Sequence, residues 1–436
     1  MLEIWKQKII VVIEIVHRWV FGHEISPTMK DFLGHLSWSF LGVIVNGLAL
    51  FAVNVMAGRL MGPEGYGKYN LIQVVSNIII IPILLGLNTT SIKYISRSKD
   101  ENEKNKYLSN SFWIVLISSL LIFFIWIIFH GEISKLSNIS ESVVLLTLLF
   151  TIIFAYRTLL DSLIKSFKYF KFQSISYIIE GVIILLSFVL FFLFLGIEDY
   201  KYYIFSIMIG YTLISLLYIF KIKDKIRKID WQKIMDVLEY SKAVITMVMV
   251  AAIMGSMDRL FIGKGLGAGQ LGIYSAYMTS TCVFVGQVII IFDNVFFPMV
   301  SGAENKDAII KKIDKLFFIG FIPSVCFLFF CSFIIMKLFG KQFEINLFYI
   351  LIFSILAFFQ SVGAFYKSVV SSVKKSYLRL KKISYVFLVL FFLLYFVIFI
   401  QKTDTLKPYI FAYVAYITSS LIITRLSYIH DSQENT

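Results

Sequence analysis

Charge is scarce in this chain. Of its 436 residues only 16% are Asp, Glu, Lys or Arg, too few to clothe a soluble domain of that size. The three cysteines, Cys282, Cys326 and Cys331, stand in apolar stretches without C-x-x-C spacing, and their odd number gives no disulfide framework. The five histidines, His17, His23, His35, His130 and His430, are scattered, so local spacing assembles no metal site. The P-loop signature G-x-x-x-x-G-K-[ST] is absent, which excludes a pump that hydrolyses ATP on this chain.

Apolar surface is plentiful instead. Hydrophobic residues make up 58% of the chain, with 44 Phe and 24 Tyr, and the mean hydropathy is +0.82. Roughly 20 consecutive apolar residues are enough to cross a bilayer as a helix. Twelve such runs follow one another: Leu36–Gly58, Tyr69–Ile92, Tyr107–His130, Val143–Ile164, Gln173–Leu195, Tyr202–Phe220, Leu238–Ile262, Leu271–Val300, Leu316–Met336, Ile345–Tyr366, Ile383–Ile400 and Leu406–Ile429. They lack period-2 alternation and are too long for strands. The expected fold class is an all-α integral membrane protein with twelve transmembrane helices.

The cations orient it. With the N-terminus inside, the inner segments hold 28 Lys and Arg and the outer loops 9, and every neighbouring pair of loops obeys the positive-inside rule. Both termini are therefore expected in the cytoplasm, across a bacterial or archaeal cytoplasmic membrane. The net charge of +14 reports topology, and neither nucleic acid nor nucleotide is needed to explain it. Trp5 to Phe21 is a shorter run interrupted by Lys6, Lys8, Glu14, His17 and Arg18, which reads as an amphipathic helix on the inner surface within a cytoplasmic segment 1–34. Glu14 and the lack of a small-residue cleavage site argue against a signal peptide.

One stretch imitates a nucleotide site. Gly267-Ala268-Gly269-Gln270-Leu271-Gly272 matches G-x-G-x-x-G, but no strand precedes it and it falls between the seventh and eighth runs. A different origin is visible 205 residues upstream. "GRLMGPEGYGKY" from Gly58 aligns with "GKGLGAGQLGIY" from Gly263, pairing Gly58 with Gly263, Arg59 with Lys264, Gly62 with Gly267, Gly67 with Gly272 and Tyr69 with Tyr274. Both read as one duplicated helix-to-helix turn, with glycine giving the backbone its freedom. Six spans per copy leave both halves in the same orientation, a parallel internal repeat. The expected organisation is an N-lobe at 35–220, a basic cytoplasmic linker at 221–237, a C-lobe at 238–429 and a cytoplasmic tail at 430–436.

The segment "GRLMGPEGYGKYNLIQ", followed by an apolar hairpin and "SIKYISR", resembles the start of Wzx-type polysaccharide flippases of the multidrug/oligosaccharidyl-lipid/polysaccharide exporter (MOP) superfamily. "SMDRLFIGKGLGAGQLGIYSAY" is similar to their seventh and eighth helices, and the resemblance runs from about Leu36 to Ile429. It implies a MATE-like pair of six-helix lobes. It also implies alternating access that carries an undecaprenyl-pyrophosphate-linked oligosaccharide to the outer leaflet for surface polysaccharide such as O-antigen or capsule. Partners would then be that polyprenyl-pyrophosphate oligosaccharide, membrane lipid and the polysaccharide polymerase machinery, with no cofactor. The superfamily's lipid flippases use arginines in the first, second and eighth helices. Here the first has only Arg59 at its outer end, and the eighth carries Asp293.

Charges inside membrane helices cost roughly 2.5–3.5 kcal/mol each at the centre and mark cavities. They concentrate in a few runs: Arg157 and Asp161 in the fourth, Glu180 in the fifth, Lys242, Asp258 and Arg259 in the seventh, Asp293 in the eighth and Arg425 in the twelfth. Arg157 and Asp161 are four apart and can pair on one helix face. Arg157, Lys242 and Arg259, with Asn46 and Asn54 of the first run, are the candidates for binding pyrophosphate and sugar. Asp161, Glu180, Asp258 and Asp293 are candidates for pairing, or for coupling to H⁺ or Na⁺. Pro82 and Pro323 remove backbone donors and are expected to bend their helices. A multidrug or cation antiporter of the same superfamily would share this architecture. A membrane glycosyltransferase or polymerase is disfavoured by outer loops of about a dozen residues or fewer, and the chain reads as a carrier, not an enzyme.

Overall fold

The computed structural model describes residues 27–137, 140–286, 288, 289, 296, 300 and 306–433, with the isolated positions 11 and 18; side chains at 27–41, 136, 137, 232, 236, 243, 247, 374–379, 381 and 428–433 are excluded. The expected surface helix from Trp5 to Phe21 and the carboxylate of Asp293 lie outside the described residues.

Among the described residues every regular element is a helix. In hydrocarbon, only a helix or a closed barrel satisfies each backbone N–H and C=O internally, so the long apolar runs have no open-sheet alternative. The helices are α1 (Pro27–Leu84), α2 (Leu87–Arg97), α3 (Glu101–Ser137), α4 (Glu141–Ser166), α5 (Phe170–Val189, continued by a π turn at Leu190–Phe194) and α6 (Tyr200–Ile222). Then come α7 (Trp231–Met254), α8 (Met257–Gly265), α9 (Gly267–Met278, continued by a π turn at Thr279–Val283), α10 (Lys306–Phe339), α11 (Leu347–Ser371), α12 (Lys374–Ile400) and α13 (Lys407–Gln433).

Among the described residues, ten segments are long and apolar enough to cross a membrane, and the first of them, Gly42–Leu84, has 43 residues. That segment is two spans joined at Gly62, whose backbone is not helical (φ 68°, ψ 178°). The expected eighth run begins in α9, but much of Leu271–Val300 lies outside the described residues. The ten segments, the first of them double, are consistent with the expected twelve. The protein is a multi-pass membrane protein.

Gly62 and Gly267, paired by the duplication, both adopt a positive φ, 68° and 84°. Side chains disfavour that region, so glycine marks both copies of the turn. Gly272 has a different reason to be glycine. An added methyl there would collide with the carbonyl of Pro63 in the other copy of the turn. The G-x-G-x-x-G match is thus a turn packed on its own duplicate.

Two compact units divide the chain: Gly42–Val53 with Gly65–Lys264, here the first unit, and Met1–Leu41, Asn54–Glu64 and Gly265–Thr436, the second. The boundary does not fall at the basic segment 221–237, because hydrogen bonds fasten that segment to α3. Arg227 N donates to Ser109 Oγ (2.7 Å), Asp230 N to Asn110 Oδ1 (2.9 Å), and Trp113 Nε1 to the Arg227 carbonyl (2.9 Å). Lys233 pairs with Glu103 at 3.0 Å. Further along, Thr90 on α2 and Ser241 on α7 share a 3.0 Å hydroxyl bond, and Val237 joins the apolar core of Leu87, Leu108, Leu159, Leu160 and Tyr218. The start of the seventh span is therefore built into the first unit. The second unit has its own core around Ile309, Ile313, Val362, Tyr366 and Val369, where α10, α11 and α13 meet.

Pro82 precedes a real break: the helix stops at Leu84, and Leu85 (φ 49°) and Gly86 (φ 69°) reverse hand before α2 begins. Pro323 lies inside the continuous α10. Broad apolar faces remain uncovered, such as Leu121, Phe124 and Ile128 on α3 and Phe318 and Ile322 on α10. Surfaces of this extent suit a hydrocarbon environment.

Candidate functional site

α4 and α5 are antiparallel neighbours joined by a short turn, so residues at equal distances from the turn lie at equal depth. Arg157 is nine residues before Ser166 and Glu180 ten after Phe170, which at 1.5 Å per residue puts both about 14–15 Å along their helices, near the middle of a ~30 Å core. There they form a two-pronged ion pair: Arg157 Nε donates to Glu180 Oε2 (2.9 Å) and Nη2 to Oε1 (3.0 Å). The guanidinium also lies over the rings of Tyr177 and Tyr211, at 5.2 and 5.6 Å from their centroids. Asn46 Nδ2, on the first span, donates to Glu180 Oε1 at 3.2 Å. It reaches there because Gly181 leaves the helix surface bare; a β-carbon at that position would sit 2.8 Å from Asn46 Oδ1.

The pairing of Arg157 with Asp161 expected from their i, i+4 spacing gives way to this contact. A carboxylate on the adjacent helix offers the planar guanidinium a bidentate geometry, which a neighbour on the same helix does not match. Asp161 is held by neutral donors instead: Gln173 Nε2 (2.9 Å) and Tyr218 OH (3.3 Å) to Oδ1, and Tyr177 OH (2.9 Å) to Oδ2. One guanidinium and two carboxylates give the cluster a formal charge of −1. Its cation is the less enclosed partner of the pair: the Arg157 side chain is 16% exposed and that of Glu180 1%.

The other candidates stand apart from this cluster. Asn54 is half-buried and belongs to the second unit, whereas Asn46 belongs to the first. Lys242 is exposed on α7, with its carbonyl accepting from Thr246. Asp258 and Arg259 open α8, just after a break in the seventh span at Gly255 and Ser256. Asp258 is buried in the first turn of α8, where the helix dipole favours an acid. Arg259 Nη2 donates to the Gly255 carbonyl (2.8 Å), capping a group that the break leaves without a helical partner, while its Nε is buried with no hydrogen-bond partner among the described residues.

Sequence reasoning missed two sets of residues. The first is the tyrosine wall of Tyr177, Tyr211 and Tyr218; the spacing of seven between Tyr211 and Tyr218 puts both on one face of α6, a signal that was there to be read. The second is a cluster in the second unit, where Arg425 makes bidentate contact with Asp314 (3.0 and 2.9 Å) and Tyr366 OH donates to the same carboxylate. These residues come from α10, α11 and α13, and no local spacing announces them. The first unit also carries buried hydroxyl pairs between helices, Ser91–Ser111 and Ser76–Thr151.

A family model described as "Polysaccharide biosynthesis protein" matches residues 33–304. None of the curated proteins matches this sequence. Among solved structures, the chain is similar to a multidrug resistance MATE family transporter of the MOP superfamily in its inward-facing conformation, with a TM-score of 0.66 and 12% identity over 91% of this chain and 98% of that one. The outward-facing conformation of a multidrug resistance MATE family transporter gives a TM-score of 0.63 and 13% identity, over 92% of this chain and 96% of that one. A MOP superfamily transporter from Pyrococcus furiosus, described as having a binding pocket of reverse polarity, gives a TM-score of 0.58 and 14% identity over 92% of this chain and 95% of that one. At such identities the similarity establishes the fold alone, a MATE-like arrangement of helices. The family model spans more than half the chain, and the chain therefore belongs to the polysaccharide biosynthesis protein family.

Proposed function

We propose that this protein carries a polyprenyl-pyrophosphate-linked oligosaccharide across the cytoplasmic membrane, from the inner to the outer leaflet, for surface polysaccharide assembly. Family membership supports a substrate of the polysaccharide pathway. The observation that carries the reading is Arg157, an arginine within the fourth span whose side chain is the less enclosed partner of a bidentate pair with the buried Glu180. The lipid tail can remain in the bilayer, so the protein must shelter only the pyrophosphate and the sugars. Planar, two-pronged guanidinium contacts suit phosphoryl oxygens. Arg259 supplies a second anion contact in the outer half of the seventh span, since its Nε has no partner among the described residues. Two negative charges leaving a negative interior gain about 4.6 kcal/mol at 100 mV, so the membrane potential assists the outward step.

Asp161, Glu180 and Asp258 are the acids available to couple the cycle to H⁺ or Na⁺, and both termini are cytoplasmic in this orientation. A second reading, export of a cationic drug, draws on the formal −1 charge of the Arg157–Glu180–Asp161 cluster and on the multidrug transporters that share the fold. Mass spectrometry of lipids that copurify in mild detergent separates the two. Polyprenyl-pyrophosphate sugars are expected; their absence, with tight binding of organic cations, would overturn the flippase reading.

A further inference from the structure

We infer that Glu180 stands in for the substrate's phosphoryl oxygens on Arg157, and that an arriving anionic headgroup displaces it and leaves it to take up one proton. The inference rests on the reading of the protein as a carrier of pyrophosphate-linked lipids. The two partners of the ion pair are unequally enclosed: the Arg157 side chain is 16% exposed and that of Glu180 1%, so the arginine is the partner open to an incoming anion. The rings of Tyr177 and Tyr211, 5.2 and 5.6 Å from it, hold the guanidinium where it is when its counter-ion changes. Its two N–H···O bonds to Glu180 are then exchanged for two to the pyrophosphate.

Among the described residues, Arg157 is the one cation in contact with Glu180. The charged and titratable groups around it are Arg157 and Asp161 on α4, Tyr211 and Tyr218 on α6 and Tyr177 on its own helix; the packed segment Gly42–Val53 contributes Asn46 and no ionisable side chain, and the π turn Leu190–Phe194 contributes none. A buried carboxylate without its partner is destabilised, and binding a proton from water removes that charge. A place for the proton already exists. Asn46 donates through Nδ2 to Glu180, while its Oδ1, on a side chain 7% exposed, has no hydrogen-bond partner among the described residues. The new O–H of Glu180 donates to that acceptor. Loading the headgroup and loading one proton thus become a single event, and release of the headgroup returns the proton.

The test uses the purified full-length protein in nanodiscs and farnesyl-pyrophosphoryl N-acetylglucosamine, a diester whose two charges do not titrate near neutrality. Calorimetry in two buffers of different ionisation enthalpy counts the protons exchanged on binding. The wild type is expected to take up about one proton per ligand, with Kd rising about tenfold per pH unit. Glu180→Gln is expected to bind the probe with a proton count near zero and a flat pH profile. A saturable wild-type isotherm with no proton uptake would overturn the inference while leaving the carrier reading intact, and so would an unchanged count in Glu180→Gln. Should the wild type bind no probe, the carrier reading fails and takes the inference with it. If Glu180→Gln does not fold, the wild-type series decides alone: a tenfold slope supports the exchange, and a flat one ends it.

Discussion

Each half of the molecule places one arginine against one acid between its helices, and the two settings differ. The side chains of Arg157 and Glu180 are 16% and 1% exposed; those of Arg425 and Asp314 are 44% and 23% exposed. The 205-residue offset of the duplication pairs Asp161 on α4 with Tyr366 on α11. Each half has an acid–tyrosine contact, Tyr218 on Asp161 in one and Tyr366 on Asp314 in the other. Among the described residues, the first half's pair is the more enclosed of the two, with a neutral amide and two ring faces around it. That enclosed pair is where we place the anionic headgroup.

The largest stability effects should fall on the enclosed pair. Glu180→Ala strands Arg157 and is expected to cost about 3–5 kcal/mol, seen as a large drop in the detergent melting temperature. Gly272→Ala forces a methyl against the Pro63 carbonyl and should cost about 1–3 kcal/mol in the same melt. Gly267→Ala finds open space and meets only the strain of its positive φ, about 1–2 kcal/mol. Asp314→Asn, at the exposed pair, should change stability by about 1 kcal/mol or less. Equal losses for Glu180→Ala and Asp314→Asn would erase the distinction between the two halves.

Much of this architecture can be read before folding, because a bilayer leaves the backbone few choices. Apolar runs of the right length become helices, cations stay inside, and the glycine pattern 205 residues apart exposes the repeat. Even the conformation at Gly62 and Gly267 follows from which residue the duplication retained. Partner choice is another matter. Arg157 has an acid four residues away on its own helix and takes one 23 residues away, because the neighbouring helix presents both carboxylate oxygens in the plane of the guanidinium. Arg425 finds Asp314 across 111 residues, and spacing says nothing about that. The basic segment 221–237 looks like a free tether in sequence. Its attachment to α3 runs through backbone groups and through Ser109, Asn110 and Trp113, residue types that carry no signature for such a role.

The central claim is that the first half's arginine, and not the second half's, handles the substrate's negative charge. Reconstituted vesicles carrying a fluorescent polyprenyl-pyrophosphate oligosaccharide would test it, with Arg157→Gln and Arg425→Gln compared at equal protein content. Translocation is expected to fall at least about tenfold in Arg157→Gln, the loss of about 1.4 kcal/mol or more, and to stay within about twofold of wild type in Arg425→Gln. Wild-type rates in Arg157→Gln, or equal losses in both variants, would contradict the account.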